Sequence, residues 1–276
     1  MLLAYILFSS ALFMSFYNFT CSKYPVAVLH GIASEAQNMD FLSGWIREKF
    51  DVTVFNLEIG NGYKTSLFTP ASKQLDELCE TIYNISELAD GFNFIGMSQG
   101  GLLARGYAEQ CNKYPVINLI TLVSPHGGVF DETFKLNFYN KFYQDHLSFA
   151  GYWRDPKKIN NYLLNSSYLA GLNNEKITQN SLIYQENIKK LQNFVLFWSP
   201  FDEILNPPES GKFSFFDSEY NVIAITDTEL YKKDLLGLKF LNENNRFHIY
   251  ETTCTHTQHR DIICLEQLYF IMIYYL

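Results

Sequence analysis

The sequence predicts an α/β fold, with a mostly parallel central sheet and helices on both of its faces. Strand-like apolar runs alternate with segments of helical spacing through the first half of the chain, which is typical of a doubly wound sheet. The runs are apolar at nearly every position, as strands buried on both faces are. In addition, residues 92–105, FNFIGMSQGGLLAR, read as a strand, a sharp turn and a helix in direct succession.

The individual elements follow from apolar patterning and from turn residues. Compact apolar or alternating runs predict strands at residues 24–29, 51–59, 92–95, 116–123, 193–198 and 246–252, with a short strand at 220–225. Helical spacing predicts helices at residues 37–50, 100–110 and 265–275, the last as a buried terminal helix. A further helix is predicted to start at Thr69-Pro70, with Thr69 as its cap and Pro70 in its first turn.

Residues 129–190, called the insertion below, interrupt this rhythm. The segment is aromatic and polar and contains no clear strand pattern. We interpret it as a helical lid above the carboxyl ends of the strands, where it would exclude water and hold the apolar part of a substrate. A plain second layer of helices without a ligand role is the alternative that the pattern leaves open.

A candidate nucleophile lies in the motif Gly96-Met97-Ser98-Gln99-Gly100, a G-x-S-x-G between a strand and a helix. Such a turn exposes the hydroxyl of Ser98, and a side chain at Gly96 or Gly100 would crowd it. The helix that follows directs backbone N–H groups and the positive end of its dipole at developing negative charge. The motif therefore predicts a serine nucleophile on an elbow that the two glycines make possible.

Asp202 and His256 are the candidate partners of Ser98. Asp202 comes just past a late strand and His256 follows the last one, so the three occur in the order Ser, Asp, His that this arrangement requires. His256 would accept the serine proton and Asp202 would orient the imidazole. The residues alone leave His259 open as the base and Asp217 as a rival acid.

Two turns are predicted to supply donors for a negatively charged oxygen. In hydrolases with such an elbow, an early strand ends in an HG turn that provides one backbone N–H, here that of Ile32 after His30-Gly31. The second N–H belongs to Gln99, directly after the nucleophile. We therefore predict an oxyanion hole at Ile32 and Gln99, and we interpret His30 as a turn residue rather than the base.

Composition and charge exclude several classes of function. The net charge of −8 and the lack of a basic tail argue against a nucleic-acid partner. Hydrophobic residues make up 47% of the chain and charged residues 18%, which excludes an intrinsically disordered protein. The five cysteines match no metal-binding spacing, and no metal or organic cofactor is predicted. In an oxidising compartment, Cys254 and Cys264 are candidates for a disulfide.

Residues 1–20 are predicted to be a secretory signal peptide, cut between about residues 15 and 22. The run is short for a spanning helix, although a retained anchor is the alternative, and no other stretch looks transmembrane. Glycosylation triplets at Asn18, Asn84 and Asn165 agree with secretion. Residues 21–276 form the single predicted domain, in which the insertion is included.

These residues carry a resemblance to the palmitoyl-protein thioesterase family. The matching stretches span nearly the whole mature chain and read PVAVLHGI, FNFIGMSQGGLLAR, ITLVSPHGG, GYWRDP, SPFDEILNPPESGKFSFFD, LYKKDLLGLKFL and THTQH. The YWxDP and YxxDxxGLK segments are the most specific of them. Within the family, the chain is most similar to the lysosomal, acyl-CoA-preferring branch.

The resemblance implies an α/β-hydrolase fold and hydrolysis of long-chain acyl thioesters, either acyl-CoA or S-palmitoylated protein, through an acyl-enzyme. It implies Ser98 as nucleophile, Asp202 as acid and His256 as base, and it favours His256 over His259. An oxygen-ester lipase or carboxylesterase on the same triad and a non-catalytic lipid-binding protein are the alternatives.

The resemblance also implies a role for the insertion and an address for the protein. The insertion would provide the groove for the acyl chain, with Tyr152 and Trp153 as lid residues in that groove. The protein would be lysosomal or secreted. Its partner would be the acyl thioester substrate, with no nucleic acid and no stable membrane span, and the sequence predicts no particular oligomeric state.

Overall fold

The computed structural model describes residues 23–276. The predicted signal peptide, its cleavage range, the Asn18 triplet and Cys21 lie outside the described residues. Among residues 23–276, no helix combines the length and the apolar character that crossing a membrane requires.

The strands of the described chain form one large parallel sheet and one small hairpin. Their bounds are β1 (Val26–Leu29), β2 (Val54–Leu57), β3 (Phe92–Met97), β4 (Val116–Leu122), β5 (Asn193–Trp198), β6 (Phe215–Phe216), β7 (Val222–Ile223) and β8 (Phe247–Glu251). The large sheet has the order β2-β1-β3-β4-β5-β8, and all of its neighbouring strands are parallel. β6 and β7 pair antiparallel on their own. The predicted fold class is thus confirmed.

The helices cover both faces of the sheet. Their bounds are α1 (Asp40–Phe50), α2 (Tyr63–Phe68), α3 (Ala71–Tyr83), α4 (Gln99–Gln110), α5 (Lys141–His146), α6 (Ile159–Asn165), α7 (Leu169–Leu172), α8 (Ser181–Lys189), α9 (Glu229–Lys232), α10 (Leu238–Glu243) and α11 (Ile262–Met272). Alternate strand residues enter two separate cores. In β1, Ala27 and Leu29 pack in the core of α3 and α4, whereas Val26 and Val28 pack in that of α1 and α11. Burial on both sides explains why the strand sequences are apolar throughout.

Two helix predictions need correction. The helix predicted to start at Thr69-Pro70 begins at Ala71, with Pro70 as its N-cap and Thr69 extended at φ −101°, because a residue before proline avoids the helical region. The terminal helix α11 is not buried all round. It buries Leu265 and Leu268, but Phe270 is 72% exposed, because only one face of α11 packs on the sheet.

The insertion is helical, as predicted, and its two parts differ in what they contact. α8 packs against α4 at the side of the sheet, where the amide of Asn187 donates to the carbonyl of Glu109 at 2.8 Å. The earlier part, from Val129 to α7, lies closer to the carboxyl ends of the strands. It includes a parallel bridge between Val129 and Trp153 and a hydrogen bond from the hydroxyl of Tyr168 to the carbonyl of Leu102.

A buried arginine, Arg105, links α4 to the insertion. The guanidinium of Arg105 donates to Glu109 Oε1 at 2.9 Å and to Asn173 Oδ1 at 2.8 Å, and it lies over the ring of Phe213. The side chains of Arg105 and Glu109 are both fully buried. Burial raises the pKa of Glu109 to about 8, although Arg105 opposes part of that rise.

The described part of the chain contains two disulfides. Cys254 and Cys264 are bonded, as the sequence analysis proposed, and the bridge spans the segment that contains His256. Cys79 in α3 is bonded to Cys111 at the end of α4, a pairing that the sequence analysis did not predict.

We expect the protein to lose stability as the pH rises from about 4.5 to about 8, in part because of Glu109. In that window the unfolded chain releases the Glu109 proton while the folded chain retains it, so a rising pH favours unfolding. Glu109→Gln keeps the shape of the side chain without its ionisation and should flatten this part of the profile. Urea denaturation at several pH values measures the free energy of unfolding. An equally steep profile in the variant would contradict the prediction.

We also expect the two disulfides to contribute differently. Replacing Cys79 and Cys111 by alanine should lower the free energy of unfolding by about 4 kcal/mol, since the bridge closes a loop of 32 residues. Replacing Cys254 and Cys264 by alanine should lower the free energy of unfolding by about 3 kcal/mol, since that loop is 10 residues long. This second replacement should reduce the catalytic rate more than the first, because it frees the segment that contains the predicted base His256. Denaturation and initial rates on both double variants test this. The reverse order of the two activity losses would contradict it.

Candidate active site

Ser98 occupies a strained turn between β3 and α4. Its φ of +54° and ψ of −127° lie in a region that side-chain-bearing residues rarely adopt. Only glycine fits at the two flanking positions. A Cβ at Gly96 would lie 2.4 Å from the Cα of Gly101, and a Cβ at Gly100 would lie 2.3 Å from the carbonyl oxygen of His30, and both distances are shorter than van der Waals contact. This is the geometry of the nucleophile elbow that the sequence predicts.

The turn after β1 lies against Ser98. A Cβ at Gly31 would stand 2.9 Å from the Cβ of Ser98 and 3.4 Å from its hydroxyl oxygen, so the backbone reaches the serine only because this residue is glycine. Within residues 23–276, neither the backbone N–H of Ile32 nor that of Gln99 donates to another protein atom. These two N–H groups therefore have the free donor capacity that an oxyanion hole needs.

Asp202 and His256 are in direct contact. Nδ1 of His256 lies 2.7 Å from Oδ2 of Asp202, and both side chains are almost fully buried. The other carboxylate oxygen, Oδ1, accepts from the backbone N–H groups of Ile204 and Leu205 at 2.9 and 2.8 Å. The carboxylate is thus fixed from both sides. A hydrogen bond at Nδ1 selects the tautomer in which Nε2 of His256 is the proton acceptor.

The sheet brings the three predicted residues to one edge. Ser98 follows β3, Asp202 follows β5 and His256 follows β8, and these are carboxyl ends of parallel strands. In an open α/β sheet this edge is where ligands bind.

The rival acid and base are engaged elsewhere. His259 is buried, with Nε2 2.8 Å from the hydroxyl of Thr252 and Nδ1 2.9 Å from the carbonyl oxygen of Thr255. Burial lowers its pKa, which favours a neutral, structural histidine. Asp217 accepts from the backbone N–H groups of Glu219 and Asn221 in a turn of its own. Of the two candidate bases, His256 and His259, it is therefore His256 that pairs with an acid.

Two other histidines also have structural partners. His30, interpreted as a turn residue from the sequence, lies with Nε2 2.7 Å from Oε1 of Glu58. His126 is fully buried, contacts the hydroxyl of Thr121 at 3.0 Å and stacks on the ring of Phe213. Burial lowers the pKa of His126 well below its usual value.

A cavity of about 280 Å³, called the Ser98 cavity below, opens beside the serine. It is mostly apolar, and its walls are formed by Ile32, Ser98, Pro125, Val129, Phe130, Asp131, Phe134, Phe149, Tyr152, Trp153, Ile204, Leu205 and Asn206. Tyr152 and Trp153, the predicted lid residues, are both in these walls. So are Ile204 and Leu205, whose N–H groups hold Asp202. The cavity thus adjoins the predicted nucleophile Ser98 and the predicted oxyanion donor Ile32. It also adjoins the two backbone N–H groups that bind the carboxylate of the predicted acid.

A hydrogen-bonded network that the sequence analysis missed connects the insertion to the elbow. The hydroxyl of Tyr152 donates to Gln99 Oε1 at 2.9 Å. The Gln99 amide nitrogen donates in turn to the carbonyl of Ser66 at 2.9 Å and to Gln74 Oε1 at 3.1 Å. Gln99 is 1% exposed, so this network fixes a residue whose backbone N–H is a predicted oxyanion donor.

Glu203 is a second residue that the sequence analysis missed. Its Oε2 accepts from the backbone N–H of His256 at 3.0 Å, beside the contact between His256 and Asp202. The signal available in the sequence was only that Glu203 follows Asp202 directly. We infer that the two neighbouring acids hold one histidine, Asp202 through the ring and Glu203 through the backbone.

The described part of the chain adds two facts about ligands and modification. Residues 23–276 contain no group of three or more His, Cys, Asp or Glu side chains arranged to hold a metal ion. Asn84 and Asn165, the glycosylation candidates among these residues, are both exposed.

Comparison with known protein families and sequences gives strong matches. The family described as "Palmitoyl protein thioesterase" matches residues 25–256. "Palmitoyl-protein thioesterase 3" of Dictyostelium discoideum is 40% identical over 249 residues, which cover 85% of this chain and 86% of that protein. "Lysosomal thioesterase PPT2 homolog" of Drosophila melanogaster is 31% identical and covers 82% of each chain.

Solved structures agree on the fold. A monoacylglycerol lipase from Paleococcus ferrophilus superposes with a TM-score of 0.52 at 13% sequence identity, over 92% of this chain and 95% of the other. An extracellular alpha/beta-hydrolase from a Paenibacillus species gives a TM-score of 0.50 at 13% identity, over 90% and 98%. At such low identity, the likeness concerns the α/β-hydrolase fold alone.

We expect Glu203→Ala to lower kcat about tenfold with little change in KM. The variant removes the acceptor for the His256 backbone N–H, and a hydrogen bond to a charged acceptor is worth about 1.5–3 kcal/mol. Glu203→Gln keeps a carbonyl acceptor at the same place and should restore most of the rate. Steady-state kinetics on an activated acyl thioester measure both. Equal losses in the Ala and Gln variants would contradict the role of this hydrogen bond.

Proposed function

This chain belongs to the palmitoyl protein thioesterase family, and on that basis we propose that it hydrolyses long-chain acyl thioesters through a serine-bound acyl intermediate. Membership supports the reaction class, since the matched segment covers most of the chain and includes all three candidate catalytic residues. The observation that carries the mechanism is that Ser98 and Ile32 share the wall of an apolar cavity. A thioester carbonyl at Ser98 would thus have an acyl site on one side and a donor beside it.

The first half of the reaction forms the acyl-enzyme. The hydroxyl oxygen of Ser98 attacks the thioester carbonyl carbon, and its proton passes to Nε2 of His256. Asp202, 2.7 Å from Nδ1, stabilises the imidazolium that results. The carbonyl oxygen becomes an oxyanion, which the N–H groups of Ile32 and Gln99 stabilise. One such donor is worth about 3–4 kcal/mol where it has been measured in other enzymes.

The acyl-enzyme is complete when this tetrahedral intermediate collapses, the carbon–sulfur bond breaks and the leaving thiolate takes the proton from His256. The second half of the reaction releases the fatty acid. A water molecule then gives a proton to the same histidine and attacks the acyl-enzyme carbonyl. Collapse of the second intermediate frees the carboxylic acid and returns the proton to Ser98.

The lining of the Ser98 cavity favours a long acyl chain as the apolar part of the substrate. Its walls are largely aromatic and aliphatic, and each buried methylene group contributes about 0.8 kcal/mol. Tyr152 and Trp153 would contact the chain, and in this proposal the insertion acts as the lid and groove of the acyl site. The tie from Tyr152 to Gln99 would hold that groove in register with the oxyanion hole.

A lysosomal or secreted location is part of the proposal. Several relatives are named lysosomal thioesterases, among them those of Drosophila melanogaster and Xenopus laevis. Two disulfides in the described chain support an oxidising compartment, because cytosolic proteins rarely keep them. The exposed triplets at Asn84 and Asn165 are compatible with glycosylation on that route.

We expect palmitoyl-CoA hydrolysis to fall at least about 1,000-fold in Ser98→Ala, because the nucleophile is lost. Asp202→Asn should also reduce the rate strongly, since it favours the wrong tautomer of His256, whereas Asp217→Asn is the matched control and should not. Release of the thiol, followed with a chromogenic reagent, measures all four proteins.

The palmitoyl oxygen ester of the same leaving group serves as the comparison substrate. A thiolate leaves more readily than an alkoxide, so we expect the ester to react much more slowly. An ester rate equal to or above the thioester rate would favour the lipase alternative. A wild-type protein as inactive as Ser98→Ala on both substrates would contradict an enzymatic role toward this acyl class.

A further inference from the structure

The turn that presents the Ile32 N–H is strained and is held by a serine of α2. Ala33, directly after Ile32, has a φ of +48°, a region that residues with a Cβ rarely adopt. The backbone N–H of the next residue, Ser34, donates to the hydroxyl of Ser66 at 3.3 Å, and this hydroxyl lies 3.1 Å from the carbonyl oxygen of Ser34. Both serines are buried. A strained backbone persists only where its surroundings hold it, so Ser66 helps to fix the turn at Ile32.

The same serine also binds the second oxyanion segment. The backbone carbonyl of Ser66 accepts from the side-chain amide of Gln99 at 2.9 Å, and this amide also donates to Gln74 Oε1 at 3.1 Å. The amide oxygen of Gln99 accepts in turn from the hydroxyl of Tyr152 at 2.9 Å. The hydrogen bonds that run from Tyr152 through Gln99 and Ser66 to Ser34 are called the oxyanion brace below. The brace thus connects the two backbone segments whose N–H groups form the predicted oxyanion hole.

The other end of the oxyanion brace lies in the wall of the acyl site. Tyr152 lines the Ser98 cavity and is 4% exposed. Burial raises the pKa of Tyr152, so its hydroxyl keeps the proton that it donates to Gln99 at physiological pH. An acyl chain that fills the cavity therefore packs against a side chain that is itself bonded to Gln99.

We propose that the oxyanion brace couples filling of the Ser98 cavity to the geometry of the oxyanion hole, so that long acyl chains raise kcat. This inference rests on the proposed function, because it takes a thioester carbonyl at Ser98 as its starting point. A long chain restricts the ring of Tyr152, and the hydroxyl of that ring then holds the amide of Gln99 in place. A short chain leaves part of the cavity unfilled and holds the ring less firmly. Tyr152, Gln99 and Ser66 are positioning residues in this proposal.

The oxyanion brace determines which kinetic constant gains from the binding of the acyl chain. Contacts that are equally strong in the bound substrate and in the transition state lower KM and leave kcat unchanged. An improved oxyanion hole acts mainly in the transition state, because the carbonyl oxygen carries its negative charge there. The acyl chain occupies the cavity while the acyl-enzyme forms and while it is hydrolysed. The gain therefore affects kcat whichever of the two steps is slower.

Steady-state kinetics on butyryl-, octanoyl- and palmitoyl-CoA, below the micelle concentration of the longest, test the coupling. We expect the wild-type kcat to rise with chain length. Tyr152→Phe keeps the ring in the cavity wall and removes only the hydroxyl. In this variant the ratio of kcat for palmitoyl-CoA to kcat for butyryl-CoA should fall at least about fivefold, while KM for palmitoyl-CoA changes less than about twofold.

Tyr168→Phe is the matched control for Tyr152→Phe. The hydroxyl of Tyr168 also ties the insertion to α4, through the carbonyl of Leu102 at 3.3 Å, but it bonds neither oxyanion residue and its ring does not line the Ser98 cavity. We expect Tyr168→Phe to keep the wild-type ratio of the two kcat values. An equal fall of this ratio in both variants would show that any loosening of the insertion has the same effect, and would overturn the role of the brace.

A double-mutant cycle tests whether Tyr152 acts through Gln99. Gln99→Met keeps the backbone N–H and the length of the side chain but removes the amide, and it should lower the kcat ratio at least as much as Tyr152→Phe does. Adding Tyr152→Phe to Gln99→Met should then change the ratio by less than about twofold, because the partner of the hydroxyl is already gone. Urea denaturation checks that each variant is folded under the assay conditions. Losses that add in full would overturn coupling through Gln99.

The chain-length series separates this inference from the function on which it rests. A wild-type enzyme with the same kcat for all three substrates, or a Tyr152→Phe variant that keeps the wild-type ratio, overturns the coupling and leaves the proposed function standing. A loss in Tyr152→Phe that appears in KM alone also overturns the coupling, because Tyr152 would then only bind the chain. A wild-type protein that cleaves none of the three substrates contradicts the proposed function, and the coupling with it.

Discussion

The close approach of three backbone segments at Ser98 is the constraint on which the rest of the site depends. β1 and β3 pair so that Leu29 is level with Gly96, and the turn after β1 then passes directly over the elbow. A Cβ at Gly31 or Gly100 would collide with that arrangement, at 2.9 Å from the Cβ of Ser98 and 2.3 Å from the carbonyl oxygen of His30. Glycine at these places is therefore what allows the turn after β1 and the start of α4 to approach Ser98 so closely.

The histidine depends on a second, independent support. β8 extends the sheet beside β5, so that the segments after Trp198 and Glu251 run side by side. Asp202 holds the ring of His256, Glu203 holds its backbone N–H, and the disulfide of Cys254 closes the segment. The proposed base is thus fixed by covalent and hydrogen-bonded contacts, whereas the proposed nucleophile is fixed by the close packing of the backbone around it. Changes at one support should leave the geometry of the other intact.

Much of this could be predicted because it depends on local patterns. Apolar runs identified the strands, and the G-x-S-x-G between a strand and a helix identified Ser98 before any contact was known. What spacing alone left open depends on distances between remote residues. Spacing left both His256 and His259 as candidates, the resemblance favoured His256, and the contact with Asp202 supports that choice. The Cys79–Cys111 bridge, which was not predicted, forms because α3 lies beside α4. The roles of Gln99 and Glu203 side chains likewise have no local signature.

The ties between the insertion and the hydrolase core bear on how substrate enters. The hydroxyl of Tyr152 is bonded to Gln99 and that of Tyr168 to the carbonyl of Leu102, both in buried surroundings. If the whole insertion swung open, these polar groups would lose their partners, at a cost of about 1–3 kcal/mol for each one left buried. Phe134, at the mouth of the Ser98 cavity, is held instead by aromatic contacts with Phe138 and Trp153. Access to Ser98 therefore depends on the rim of a preformed, largely apolar cavity and not on a swing of the whole insertion.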